Sequence, residues 1–218
     1  MPDLRDLVIR WLRGWRVARA LPAAEEVDGG LRVRCMQPGR DVEYVALDPA
    51  LLPRLADLVV GEDAVTWLTV ATTDPAAVVA AVEAAGLVVL KSSEQLMTAD
   101  LDGRPPSVPA PYRLAVDVDD RVVTATVRDE SGQVAARGTM GLAGRDAIAD
   151  RIETAPAHRR KGLASVVMGA LAASAVEQGA DRGVLIASEE GQWLYASLGW
   201  QPVAQVVIAT TPGNTYPS

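Results

Sequence analysis

The segment from Pro156 to Ser165, Pro-Ala-His-Arg-Arg-Lys-Gly-Leu-Ala-Ser, constrains the fold most, because it joins a predicted strand directly to an Ala-rich helix. The first backbone N–H groups of a helix have no carbonyl partner within it, so a helix that begins here offers donors and a positive dipole end to a phosphate. Gly162 and Ala164 keep bulky side chains away from these donors, and the basic residues 159–161 add charge. Neither a Gly-x-x-x-x-Gly-Lys-Ser/Thr motif nor a three-glycine dinucleotide motif accompanies the turn. We therefore interpret it as an anion-binding turn.

Hydrophobic patterning places this turn inside a strand–helix–strand unit. Alternating or apolar runs between turn residues predict a meander of about four strands over residues 112–154. The helix at 163–178 carries apolar residues on one face, and Val184 to Ala187 is predicted as a short buried strand. A crossover helix joins parallel strands, so the turn lies in a βαβ unit. A helix at 192–198 and a last strand at 203–210 complete this half of an α/β chain.

The N-terminal half contains elements of the same kinds. Apolar residues at helical spacing predict an amphipathic helix that begins near Leu4 and ends before Pro22. The further predicted elements are strands at 31–35 and 42–47, a helix at 51–60, a strand at 67–72 and a helix from Pro75 to Gly86. Prolines between Arg104 and Pro111 exclude a helix or a central strand there. We therefore divide the chain into residues 1–104, a Pro-rich linker at 105–111 and residues 112–218.

The two halves repeat one order of elements: a strand, a helix that ends at a glycine, and a further strand. Counting back four residues from Gly86 and from Gly199 places Val82 opposite Tyr195. We hypothesise a tandem arrangement in which the N-terminal half keeps the scaffold and has lost the anion-binding turn. The alternative, that any αβ element with such an ending looks alike, stays open at this point.

Composition and charge exclude several classes of function. The net charge of −7 and the pI near 4.8 argue against nucleic-acid binding, which needs a basic surface. The single cysteine, Cys35, cannot form a disulfide within the chain. The longest apolar run, Val166 to Val176, is too short to span a bilayer, and Asp3 and Asp6 lie where a signal peptide would be basic. We expect a cytoplasmic protein that contacts neither nucleic acid nor a membrane.

The anion-binding turn and a second motif together resemble the GNAT family of N-acetyltransferases. Residues 156–164, with the spacing Pro-x-x-Arg-x-x-Gly-x-Ala, are similar to the acyl-CoA pyrophosphate loop of that family. Residues 194–200, Leu-Tyr-Ala-Ser-Leu-Gly-Trp, are similar to its Leu-Tyr-x-x-Leu-Gly-aromatic signature. The resemblance covers about residues 133–210. It implies a GNAT-like mixed, mostly antiparallel sheet flanked by helices, with acetyl-CoA as cosubstrate, an amine acceptor and, under the tandem hypothesis, a degenerate GNAT-like N-terminal half.

The resemblance also implies which residues form the site. In the family, the pantetheine arm lies between two splayed strands, which assigns it to Ile152, Glu153 and Thr154. The tyrosine of the second motif is the family's general acid, which assigns that role to Tyr195. Ser188 departs from the asparagine of many members. The implied cofactor-binding residues are Ile152, Glu153, Thr154, Arg159, Arg160, Lys161, Gly162, Leu163, Ala164, Ser165, Ser188 and Tyr195.

Acetyl transfer needs an acid for the departing thiolate and a base for the amine. A phenol, whose ordinary pKa is about 10, stays protonated at neutral pH and suits the acid. Glu153, Asp150 and Glu189 border the expected cleft, and any of them can take a proton through a water; Glu153 is our candidate catalytic carboxylate among them. His158 lies beside three cations and is interpreted as a spectator. Since no cluster has metal-ligand spacing, we expect no metal.

The acceptor site is less defined, because the strand and two helices that form it in the family are not obvious before the meander. The candidate walls are the helix that carries Trp11 and Trp15, the helix at 51–60, or the partner subunit of a homodimer. We predict an N-acetyltransferase that moves an acetyl group from acetyl-CoA to an amine by direct attack. The alternative is a catalytically weak or inactive CoA-binding regulatory module, which Ser188 and the unusual N-terminal half favour.

Overall fold

The computed structural model describes residues 3–216, which form one sheet of eleven strands flanked by five α-helices. The helices are α1 (Leu4–Ala18), α2 (Leu52–Val60), α3 (Pro75–Ala84), α4 (Leu163–Glu177) and α5 (Glu189–Ser197). The strands are β1 (Glu25–Val27), β2 (Gly30–Gln37), β3 (Arg40–Ala46), β4 (Thr66–Thr72), β5 (Val88–Asp100), β6 (Arg113–Asp119), β7 (Val122–Arg128), β8 (Val134–Ala143), β9 (Asp146–Thr154), β10 (Arg182–Ala187) and β11 (Gln201–Thr210). Among these residues no helix has the length and apolar character that crossing a bilayer requires.

The sheet is nearly symmetric about its centre. Its strand order is β1-β2-β3-β4-β11-β5-β10-β9-β8-β7-β6. The pairs β3–β4 and β9–β10 are parallel, and the other pairs are antiparallel. A two-fold rotation about the β11–β5 seam would therefore exchange β2, β3, β4 and β11 with β8, β9, β10 and β5. The mixed, mostly antiparallel sheet and its tandem organisation are confirmed.

Each half gives its last strand to the other half. Strand β5 pairs with β10, where Leu96 lies opposite Ile186, and β11 pairs with β4, where Ile208 lies opposite Thr69. The two exchanged strands pair with each other at the seam. The sheet is therefore continuous across the repeat, and the boundaries drawn at the Pro-rich linker stay a prediction.

Helices α3 and α5 end in the same way, as the repeat requires. Gly86 and Gly199 follow these helices with φ of 81° and 86°, a left-handed conformation that glycine adopts without strain. After each glycine the next amide donates a hydrogen bond of 3.0 Å, to the carbonyl of Val82 in one half and of Tyr195 in the other. The predicted alignment of Val82 with Tyr195 is thus confirmed.

Helices cover both faces of the sheet. Because successive strand residues point to opposite faces, Val184 of β10 packs beneath α1 while Leu185 packs beneath α4. In β11, Val206 packs on the α1 side and Val207 packs against α2 and α3. Helix α1 therefore covers one face, chiefly over β8 and β9 and reaching β4, and α2, α3 and α4 cover the opposite face.

Candidate active site

The turn between β9 and α4 presents free backbone amides. Gly162 begins the helix with φ of 76° and no side-chain cap. The N–H groups of residues 162–165 donate to no acceptor within residues 3–216. A Cβ built on Gly162 would meet no atom within 4 Å, so the space at this turn is open. Free amides, open space and the helix dipole fit a diphosphate.

The three basic residues of this turn do not act alike. Arg159 and Arg160 line the groove in front of the free amides. Arg160 also has φ of 60°, in the left-handed region that few non-glycine residues adopt. Lys161 points elsewhere, because its Nζ donates a hydrogen bond of 3.1 Å to the Tyr112 hydroxyl. The residue lines a separate hollow together with Pro106. The structure thus does not bring Lys161 into the groove with the other predicted cofactor residues.

The corresponding turn of the N-terminal half lacks free amides. Ahead of α2, the carboxylate of Asp48 accepts a hydrogen bond from the Ala50 N–H at 2.9 Å. Pro49 and Pro53 have no N–H to offer. A carboxylate thus caps the short 3₁₀ turn, Pro49–Leu51, that leads into α2, at the place where the other half leaves room for an anion.

Strands β9 and β10 separate behind the anion-binding turn. Their pairing covers only residues 146–148 and 182–184. Beyond it, β9 bulges at Arg151, whose φ is 53°, and its register with β8 shifts between Asp150 and Glu153. The expected divergence of the two strands is therefore present, and residues 150–154 border the gap.

A groove of about 530 Å³ runs from the turn into this gap. Its lining contains every cofactor-binding position predicted from the sequence except Lys161. Glu190, Gly191 and Leu194 from α5 also line it and were not predicted. Gly191 lies one turn before Tyr195, and a Cβ there would come within 3.0 Å of the Tyr195 ring. The spacing of four residues to Tyr195 is the sequence signal that could have identified it.

Tyr195 projects from α5 to the end of the groove. The hydroxyls of Tyr44, Tyr112 and Tyr216 all have partners, whereas that of Tyr195 has none among residues 3–216. The residue is only 8% exposed. Burial, with a smaller contribution from the negative charge of Asp150, raises the pKa of Tyr195 to about 12. The phenol is therefore protonated at neutral pH and free to donate.

A second pocket, of about 560 Å³, meets the groove at Tyr195. The two hollows share Ile152, Glu153, Ser188 and Tyr195. The rest of its lining comes from α1, from both halves of the sheet and from segments next to these elements: Trp11, Trp15, Arg19, Gln37, Pro38, Arg40, Glu43, Trp67, Thr69, Glu94, Ala149, Asp150, Arg151, Ile186, Ile208 and Tyr216. Of the walls considered from the sequence, α1 lines this pocket, whereas α2 packs on the opposite face of the sheet.

Stacked side chains form one wall of this second pocket. The Arg40 guanidinium lies between the rings of Trp15 and Trp67, 5.2 Å and 4.7 Å from their centroids. Trp67 in turn stacks on Tyr216 at 5.1 Å. Arg40 also pairs with the buried carboxylate of Glu43 at 2.6 Å. These contacts hold the wall from several sides and fix the positions of its side chains.

The carboxylates predicted as candidate bases are all engaged or remote. Arg19 binds both oxygens of Asp150 at 2.8 Å. The Glu153 side chain is 55% exposed and accepts two hydrogen bonds from Arg137. Glu189 lines neither hollow. Glu153 lines both hollows, and its role as the catalytic carboxylate stays a prediction for a side chain that is exposed and paired.

The other potentially reactive side chains, His158 and Cys35, are held in contacts that do not favour catalysis. His158 lies between the Tyr112 hydroxyl, 3.0 Å from Nδ1, and Asp129, 3.5 Å from Nε2, which ties the turn to its neighbours. Burial raises the pKa of Cys35 to about 12, so its thiol is a poor nucleophile. Within residues 3–216 no group of His, Cys, Asp and Glu side chains could hold a metal ion.

Comparisons with known proteins identify the fold. No family model matches the chain, and neither does any curated protein. Among solved structures, it is similar to a GCN5-related N-acetyltransferase from Kribbella flavida, with a TM-score of 0.71, 18% identity and coverage of 98% of this chain and 97% of the other. A GCN5-related N-acetyltransferase from Sphaerobacter thermophilus gives a TM-score of 0.63 at 11% identity, covering 86% and 79%.

A tandem GNAT protein from the clavulanic acid biosynthesis pathway, solved without AcCoA, is similar over almost its whole length. The TM-score is 0.59, the identity is 15%, and coverage is 99% of this chain and 97% of that one. At such identities the likeness concerns the fold. The chain therefore has the fold of GNAT acetyltransferases in its tandem form, which confirms the resemblance inferred from the two motifs.

Proposed function

We propose that this protein is an N-acetyltransferase that uses acetyl-CoA to acetylate an amine. One observation carries the proposal: the free amides of residues 162–165 and the unbonded hydroxyl of Tyr195 face one continuous groove. The amides are suited to an anion and the phenol is suited to a proton transfer. An anion-binding turn alone would not need a proton donor at the far end of its groove.

In this proposal the groove holds the cosubstrate along its length. The amides at 162–165 bind the diphosphate, with Arg159 and Arg160 as charged partners. The gap beside residues 152–154 takes the pantetheine arm. When bound, acetyl-CoA supplies a thioester carbonyl for the amine to attack and a sulfur that leaves as a thiolate.

Tyr195 then acts as the proton donor. Its Oη holds a proton at neutral pH, because burial keeps the phenol in its neutral form. Its place where the groove meets the second pocket supports transfer of that proton to the leaving sulfur. The second pocket, on the α1 face, is the proposed acceptor site. A cytoplasmic location belongs to the same proposal, and a homodimer stays a prediction.

Two measurements on the same protein test this function. Calorimetry with CoA measures binding, and release of free thiol from acetyl-CoA across a panel of amines measures turnover. We expect both to be positive, and we expect Tyr195→Phe to lower kcat about 100-fold while the Kd for CoA is unchanged. Tyr44→Phe is the matched control, because the Tyr44 hydroxyl binds Glu62 away from both hollows.

The outcomes separate the two functions considered. Binding of CoA without turnover of any amine would support the regulatory module. Absence of CoA binding would refute both. Full turnover by Tyr195→Phe would leave an acetyltransferase but remove the phenol from its mechanism.

A further inference from the structure

We propose that Glu94 is the base of this site, the group that takes the proton from a cationic amine acceptor. The inference rests on the proposed function. It concerns a residue that the N-terminal half gives to the pocket through the exchanged strand β5. No motif in the sequence points to it.

Glu94 lies on the wall of the second pocket. Glu94 lies two residues before Leu96 in β5, and Leu96 packs on the α1 face of the sheet, so Glu94 faces α1 as well. The residue is 8% exposed and lines the same pocket as Tyr195. Gln192 of α5 donates a hydrogen bond of 2.6 Å to the carbonyl of the preceding residue, Ser93. This bond ties the strand that carries Glu94 to the helix that carries Tyr195.

Glu94 also differs from the other carboxylates of the pocket in its partners. Those of Glu43, Asp150 and Glu153 pair with Arg40, Arg19 and Arg137, respectively. The carboxylate of Glu94 has no salt bridge among residues 3–216, and its one hydrogen bond comes from the Tyr216 hydroxyl at 3.2 Å. It is therefore the pocket carboxylate that is left to meet a cation from outside.

The surroundings of Glu94 give it the proton affinity of a base. Burial raises its pKa, and the negative charge of Glu43 acts in the same direction. The Tyr216 hydrogen bond and the charges of Lys91 and Arg40 oppose the rise without cancelling it. A carboxylate with a raised pKa accepts a proton more readily than one at the surface.

The proton transfer balances without a further reactant. An N–H bond of the ammonium breaks and its electron pair stays on nitrogen, which becomes a neutral nucleophile. The proton bonds to a carboxylate oxygen of Glu94 and is later released to water. The pocket that holds this carboxylate is mixed in polarity: Ile186, Ile208 and three indole rings line it together with charged and hydroxyl side chains. Because the proposed base takes its proton from an ammonium, we infer a primary amine, protonated in solution, as the acceptor class.

Glu94→Gln tests this role, since an amide of the same shape can still accept the Tyr216 hydrogen bond. With tryptamine, benzylamine and putrescine as probes, we expect kcat/KM to fall about 100-fold or more, with the Kd for CoA unchanged. Tyr216→Phe removes a hydrogen bond that lowers the pKa of Glu94. The acid limb of kcat/KM against pH should therefore move to higher pH.

Stability gives a readout that does not depend on activity. The pKa of Glu94 is raised in the folded state, so the stability linked to it is lost as the pH rises through that folded value. Glu94→Gln should therefore keep or raise the Tm at pH 8, whereas a merely structural carboxylate would lower it. NMR titration of the Glu94 carboxyl carbon measures the same pKa directly.

Glu62→Gln is the matched control. Glu62 also accepts a hydrogen bond from a tyrosine, Tyr44, at 2.8 Å, but it lines neither hollow. Its pKa is lowered, first by Arg32, so its loss should reduce the Tm at pH 8 and leave kcat unchanged. Turnover by the wild type with equal turnover by Glu94→Gln would overturn the role of Glu94 alone. A wild type that turns over no amine would overturn the proposed function and this inference with it.

Discussion

Replacement of a single glycine can test whether the backbone of the turn binds the cosubstrate. Gly162 has φ of 76° with no atom within 4 Å of a built Cβ, and Gly179, at the other end of α4, has φ of 92° with equally open space. Alanine at either position meets no clash but has to adopt a left-handed conformation, which costs about 1–2 kcal/mol. For a chain of this size that corresponds to a fall in Tm of roughly 2–8 °C. Gly162→Ala and Gly179→Ala should thus be destabilised to a similar extent.

The two variants should differ in CoA binding. A methyl group on residue 162 adds bulk at the turn whose free amides, at residues 163–165, we assign to a phosphate. Loss of one hydrogen bond to a charged group is worth about 1.5–3 kcal/mol. The Kd for CoA should therefore rise between about 10-fold and 150-fold in Gly162→Ala.

Scanning calorimetry provides the two Tm values, and isothermal titration with CoA provides the two Kd values. Gly179→Ala should bind CoA as the wild type does. Equal CoA affinity in the two alanine variants would refute the reasoning. Both variants carry the same backbone strain, so equal affinity would mean that the methyl group on residue 162 has no effect on CoA binding.

Three further expectations follow from the site. Arg160→Ala should raise the Kd for CoA about 10-fold and Lys161→Ala by less than about 3-fold, because Lys161 is turned toward Tyr112; calorimetry showing the reverse order would contradict the groove. Since the pKa of Tyr195 is about 12, kcat/KM should have no basic limb from this phenol below about pH 10; a limb near pH 8 that Tyr195→Phe removes would be inconsistent with that pKa. Arg19→Met leaves the half-buried carboxylate of Asp150 without its bidentate partner, so denaturant titration should show a loss of about 1–3 kcal/mol in unfolding free energy; a loss well below about 1 kcal/mol would mean that the pair is solvated.

The groove proposed for the cofactor could be located from the sequence because its determinants are local. A turn that begins a helix exposes its amides wherever it occurs, and Gly162 needs no distant partner to adopt its conformation. The glycine after α5 likewise fixes the end of the helix that carries Tyr195. Lys161 was assigned to the same groove by its position next to Gly162. It does not lie there because a side chain of its length reaches Tyr112 instead.

The acceptor side could not be predicted, because its residues are brought together by pairing across the repeat. Glu94, Trp67 and Tyr216 belong to segments far apart in the chain, and none has a recognisable motif. These residues come together only because β5 and β11 each pair with strands of the opposite half. The alternation of residues within a strand does not reveal which distant strand it pairs with. The amino-acid order thus specifies the free amides to which we assign a phosphate, through backbone groups a few residues apart. The proposed base and acceptor pocket depend on the strand exchange, since only that exchange buries Glu94 beside the helix of Tyr195.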